Sequence, residues 1–172
     1  AILLKDEGRA ILYFPTANFV TGDLSISREL MAHPDTVLGL GDGGAHYGII
    51  CDASYSTHLL TYWLKDAPEG WTFPLEGGVS ALTREPGEPV GPTDRGVIAV
   101  GRKADLNLID IERLKLHAPS PVYDLPAGGR RLLQKADGYV ATIVSGEVTY
   151  RNGQATGALP GRLVRGPGYI PA

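Results

Sequence analysis

The stretch Thr36–His46, TVLGLGDGGAH, decides how the rest of this chain is read. Val37, Leu38 and Leu40 do not alternate with polar residues, so the run reads as a strand covered on both faces. That is the habit of a parallel sheet packed between helices. In such sheets, ligands and reacting groups gather just past the carboxyl ends of the strands. Asp42 stands two residues beyond Leu40, among Gly41, Gly43 and Gly44, which leave the backbone open to close approach. A carboxylate there is either a loop cap, as in an Asx turn, or a site residue, and the sequence around it favours the second.

Upstream, Ala10–Phe14 (AILYF) is a strand candidate and Asn18–Gly22 a loop. Asp23 or Ser25 can cap a helix over Leu24–Ala32, with Ile26 and Leu30 on one face, and Pro34 stops it. Downstream, Asp52–Lys65 predicts a second helix with an apolar stripe of Leu59, Leu60, Trp63 and Leu64. Strand–helix–strand–helix is the unit of a barrel or a doubly wound sheet. Residues Asp66–Gly101 carry Pro68, Pro74, Pro86, Pro89 and Pro92 and read as irregular, with one short helix near Gly77–Thr83.

From Val97 the period becomes two. Asp105–Asp110 (DLNLID) reads as a half-buried strand and Ala118–Lys135 as loop-rich. Tyr139–Ser145, Glu147–Arg151 and Gln154–Thr156 predict an antiparallel meander that turns at Ser145-Gly146 and Asn152-Gly153. It should pair with Asp105–Asp110, with Leu106 and Leu108 turned inward. The tail Gly157–Ala172 reads as extended coil. The fold class is therefore α/β plus β: the end of a parallel α/β fold up to Lys65, then part of a β-sandwich. Neither half is complete, since a closed barrel needs about eight strands and four β-strands leave edges unpaired.

Composition narrows the functions. The chain has 172 residues and a net charge of -3, with a pI near 5.8. It has no basic patch, so nucleic acid is not an expected partner. No apolar run approaches the ~20 residues of a membrane span, and no signal-peptide pattern opens the chain. The single cysteine, Cys51, allows no internal disulfide and fits a reducing compartment, so the expected location is cytoplasmic. The 23 glycines and 13 prolines are scattered, which means many turns.

Four stretches in order carry a family likeness: Gly22–Arg28 with His33-Pro34, Thr36–His46, Gly96–Asp110 (GVIAVGRKADLNLID), and Asp124–Gln134 (DLPAGGRRLLQ) with Gly157–Gly166 (GALPGRLVRG). Together they resemble the carboxyl-terminal part of the metal-dependent amidohydrolases, and among these most the N-acyl-D-amino-acid deacylases (D-aminoacylases). The resemblance implies a (β/α)8 barrel with a flanking β-sandwich built from both ends of the chain. On it, residues 1–95 are the end of the catalytic barrel and 96–172 a portion of the β-sandwich. It implies zinc at the carboxyl ends of the strands, held by a His-x-His pair, a bridging residue and two further histidines. An Asp after the last strand serves as ligand or proton carrier, and Asp42 matches that position. No His-x-His occurs, the four histidines being His33, His46, His58 and His117. The expectation is a fragment of a longer enzyme, inactive and without zinc on its own.

The implied chemistry is hydrolysis of a small N-acyl amino acid to carboxylate and free amino acid. Zinc brings the pKa of a bound water from ~15.7 towards ~7, and Asp42 takes its proton and hands it to the leaving nitrogen. His46 follows four residues later, the spacing at which dihydroorotases place a histidine on the substrate carboxylate. It is a candidate substrate-binding residue, with a backbone-bonded histidine as the competing reading. Gly43 and Gly44 either keep space for the acyl chain or satisfy a tight turn. Cys51 is an inert packing residue unless a helix N-terminus activates it. His33 reads as a helix-end residue, His58 as packing and His117 as surface. The Arg130-Arg131 pair meets either an anionic substrate, the barrel, or solvent. A cyclic amide hydrolase of dihydroorotase or hydantoinase type is the alternative enzyme, and a non-catalytic folding or assembly module the alternative class. A homo-oligomer is compatible with all three.

Overall fold

Antiparallel pairing accounts for every ladder among the described residues (2–14, 17–39, 41, 43–92 and 94–164) of this computed structural model. The helices are α1 (Ser25–Ala32), α2 (Tyr55–His58), α3 (Leu75–Leu82) and α4 (Arg84–Val90). The strands are β1 (Leu106–Ile109), β2 (Lys115–Leu116), β3 (Ser120–Leu125), β4 (Gly129–Leu133), β5 (Ala136–Asp137), β6 (Tyr139–Val144), β7 (Glu147–Arg151) and β8 (Gln154–Ala155). Contacts gather them into two units, Ala1–Tyr55 with Ala118–Lys135, and Ser56–His117 with Ala136–Ala172. No helix among the described residues is long and apolar enough to cross a membrane.

The second unit is built around the sheet β1-β6-β7-β8. Both predicted turns form: Ser145 and Gly146 have φ of 54° and 84°, Asn152 and Gly153 of 48° and 75°. Positive φ at both central residues is the type I′ geometry, whose twist matches that of the flanking strands. β1 pairs with β6, Leu106 opposite Ile143 and Leu108 opposite Ala141. The partner is the expected one, but only Leu106 is half-buried; Leu108, opposite the buried Ala141, is 57% exposed and not turned inward. The reason is position: β1 is the edge of the sheet, covered by a neighbour on one side only. Asp105 fixes the start of β1 by accepting the Ser145 backbone N–H at 2.8 Å and pairing with Arg95 at 3.2 Å.

The predicted helix Asp52–Lys65 forms in three windings. A 3-10 turn over Asp52–Ser54 leads into α2, which continues as a π-helix over Leu59–Asp66. The Ala67 N–H closes that helix on the Tyr62 carbonyl at 2.8 Å. Its stripe does bury: Leu59, Leu60 and Trp63 join Leu114 and Ala141 as the apolar core of this unit. Trp63 packs against Phe73 and edge-on to Tyr62, and its carbonyl accepts the Phe73 N–H at 2.9 Å. Thr57, buried on the same helix, shares a 2.7 Å hydrogen bond with the Tyr139 hydroxyl.

Residues expected to be irregular contain two helices. α3 matches the short helix foreseen near Gly77–Thr83, whereas α4 (REPGEPV) does not read as helix because of its prolines. Pro86 sits in the first turn, where backbone N–H groups lack helical partners anyway, and Gly91 in the left-handed region ends the helix two residues after Pro89. At Gly138 (φ 96°) a Cβ would lie 2.6 Å from the Leu114 Cα and 3.0 Å from the Asp110 carbonyl oxygen, so the chain passes there only as glycine.

In the first unit, α1 forms as predicted and Asp23 caps it from outside, accepting the Ser25 N–H at 3.0 Å and the Ser25 and Thr21 hydroxyls at 2.6 and 2.8 Å. These bonds hold the Asp23 carboxyl below the usual carboxylate range. The stretch Ala118–Lys135, read as loop, is instead the hairpin β3–β4, with Leu132 buried. Its strand signal is masked by Pro121 and by the irregular register between Val122 and Leu125. The predicted strands Ala10–Phe14 and Thr36–Leu40 carry no ladder in their described residues, and no parallel pair occurs there. A parallel strand is completed by neighbours on both sides. Without them Tyr13 stays 84%, Phe14 79% and Val37 47% exposed.

Candidate functional site

The loop after the predicted strand is held by its glycines and by the hairpin. A Cβ on Gly41 would lie 3.1 Å from Asp52 Cβ and from its carbonyl oxygen. One on Gly43 would lie 3.0–3.1 Å from the Ala53 Cα, Cβ and N. Side chains at either position would push the loop off the Asp52–Ser54 turn. Gly43 therefore faces Ala53, while Gly44, at φ 107°, has only the Tyr47 hydroxyl nearby, at 3.7 Å from its notional Cβ. Asp42 lies outside the described residues.

His46 is exposed and has φ 51°, in the left-handed region that non-glycine residues adopt sparingly. Its carbonyl accepts the Ile49 and Ile50 N–H groups at 2.8 and 3.0 Å, which turns the loop back on itself. The next two carbonyls are used by β4. Tyr47 accepts the Leu132 N–H at 2.7 Å, and Gly48 accepts a guanidinium N–H of Arg130 at 2.8 Å. At the far end, the Ser54 hydroxyl donates to the Gln134 side-chain oxygen at 2.6 Å. The loop Gly41–Ile50 and the turn that follows it are thus tied along one strand lying some eighty residues later. Sequence reasoning missed these ties. The Arg130-Arg131 pair was visible, but nothing local says which loop it serves.

Arg131 meets Asp124 through a two-pronged pair, Nε to Oδ1 and Nη2 to Oδ2, each 2.7 Å. The hydrogen bonds hold the Asp124 carboxyl below its ordinary range and the Arg131 guanidinium above its own. Neither arginine of the pair is an idle solvent-facing charge. Cys51 is not activated: partial burial pushes its thiol up, the Asp52 carboxylate adds to this, and Arg131 only opposes it.

The other histidines fall where expected or close to it. His33 caps the end of α1 and accepts the Asp35 N–H at 3.2 Å on Nδ1. His58 stacks on Tyr62, centroids 5.2 Å apart and rings 8° from parallel, and loss of water around the ring lowers its pKa. His117, foreseen as surface, is half-buried and bonded to Asp137 at 2.8 Å. Among the described residues, no three His, Cys, Asp or Glu side chains converge as a metal ion would need, so they do not make a metal centre by themselves.

Comparison with known proteins places this geometry in a setting. Residues 11–150 match the amidohydrolase family. A dihydroorotase from Lactobacillus acidophilus is 30% identical over 118 residues, covering 66% of this chain and 26% of that protein. The match thus spans about a quarter of the relative's length. No solved structure matches.

Proposed function

Because the chain belongs to the amidohydrolase family, we propose that it is the carboxyl-terminal catalytic portion of an enzyme that hydrolyses an N-acyl-D-amino acid to a carboxylate and the free amino acid. One observation carries the reading. GDGGAH and DLPAGGRRLLQ are two stretches that favour the deacylases over cyclic amidases, and the two residues that follow GDGGAH, Tyr47 and Gly48, accept hydrogen bonds from Leu132 and Arg130 of the second stretch.

Water adds to the acyl carbon, the carbon–nitrogen bond breaks, and the proton lost by water reaches the leaving nitrogen. Asp42 is the residue assigned to carry that proton, a task suited to a carboxylate. His46 is assigned to the substrate's free carboxylate, where its exposed ring can donate a charge-assisted hydrogen bond. Gly44 leaves room beside it. Residues 1–95 are read as barrel and 96–172 as β-sandwich, with the β3–β4 hairpin of the later part folded onto the loop of the earlier. Zinc is the cofactor this reading implies, with ligands contributed by the rest of the enzyme. The chain alone is expected to turn over nothing.

The dihydroorotase likeness supports a second reading, hydrolysis of a cyclic amide. Full-length enzyme assayed on N-acetyl-D-amino acids, dihydroorotate and hydantoin separates the two. Turnover of the acyl amino acid alone is the expected result. Turnover of the ring substrates alone would move the assignment to the second reading, and turnover of none would overturn both.

A further inference from the structure

We infer that Arg130 is a positioning residue for the site loop, acting from β4 to hold His46 in its left-handed conformation. This rests on the proposed reading of His46 as a substrate-binding group. A non-glycine residue stays at φ 51° only where its surroundings fix it. Three restraints surround His46. On one side Gly41 and Gly43 lie flush against Asp52 and Ala53. On the other the chain turns back through the Ile49 and Ile50 N–H groups. Between them, the carbonyls of Tyr47 and Gly48 are taken by β4.

The geometry of β4 explains why it can reach out in this way. Leu132 lies opposite Pro121 in the hairpin, and its N–H goes to Tyr47 rather than to β3. That edge of β4 is thus turned to the loop, and Arg130, two residues earlier and on the same face as Leu132, reaches the Gly48 carbonyl through its guanidinium. The Arg130 tie to Gly48 comes through a side chain, so it can be removed with every backbone bond left intact. Arg131 cannot replace it, being held in its fork with Asp124.

The test uses the full-length enzyme. Arg130→Met keeps the stem and removes the donor, and Arg130→Lys keeps a donor. The Met variant is expected to lower kcat/KM about tenfold, the scale of one lost positioning hydrogen bond, and the Lys variant to restore most of it. In a His46→Ala background, Arg130→Met should cost nothing further, because residues acting through one another are not additive. Amide exchange at Ile49, Ile50 and Leu132 should quicken in the Met variant while β6 and β7 stay unchanged. An equal loss in both backgrounds, or unchanged exchange in the loop, overturns the inference. A wild-type enzyme inert on every amide offered would overturn the proposed function instead, and the exchange comparison would still decide whether Arg130 holds the loop.

Discussion

In the second unit each sheet strand from β6 to β8 finds its partner across a two-residue turn, while in the first unit Ala10–Phe14 and Thr36–Gly39 have strand-like composition and no ladder at all. The difference is one of range. A type I′ turn supplies both the reversal and the register within a few residues, so Val144 meets Glu147 and Arg151 meets Gln154 whatever the rest of the chain does. A parallel strand gets its register from strands that lie a helix or more away along the chain. In the first unit the apolar residues of the unpaired stretches, Tyr13, Phe14 and Ile49 among them, stay open to water.

If that contrast is right, damage to the core of the second unit should be felt as lost stability, and damage to the site loop as lost activity. Trp63→Ala removes the largest buried side chain of the π-helix and its contact with Phe73. It should cost about 4 kcal/mol, the usual range for an aromatic truncated in a core, read as a lower denaturant midpoint. An effect below ~1 kcal/mol would mean that the unit's core lies elsewhere. Asp42→Asn in the full-length enzyme should leave that midpoint alone and lower kcat by about 100-fold, equivalent to ~2.7 kcal/mol of barrier. Near wild-type turnover would remove Asp42 from the chemistry.

How much of this was legible in the sequence follows the same division. The meander, its two turns and the buried stripe of the second helix could be read because each signal is local, and the pairing with β1 followed from the alternating pattern of Asp105–Asp110. The hairpin β3–β4 could not, since Pro121 and the stretch around Ala127-Gly128 look like loop. Helix α4 was hidden by prolines whose lost donors fall near its ends. The site loop was recognisable by its glycines, but not its attachment: the partner of Gly48 stands 82 residues away, and no local pattern encodes that.

Two smaller tests sharpen the contrast further. Asp105→Ala should cost about 1 kcal/mol, because it strands the Ser145 N–H at the first turn and removes one of the two carboxylates paired with Arg95. Loss of β6–β7 register, seen as exchange broadening of Val144 and Glu147, would show that the turn depends on this cap. In the first unit, the Asp124 carboxyl has a lowered pKa through its pairing with Arg131. Its contribution is therefore present above the ordinary carboxylate pKa of about 3.9 and fades as pH falls through the lower folded value. Being solvent-exposed, the pair should show a small effect, best seen as a shallow acid slope in hairpin stability that disappears in Asp124→Asn.

Gly138 has a consequence of a different kind. Any base change that replaces this glycine brings a Cβ into the backbone of Leu114 and the carbonyl of Asp110. The codon is therefore closed to drift until the Asp110–Leu114 segment has moved. That imposes an order on mutational histories here: the segment facing Gly138 must change first, and the glycine can be lost only afterwards.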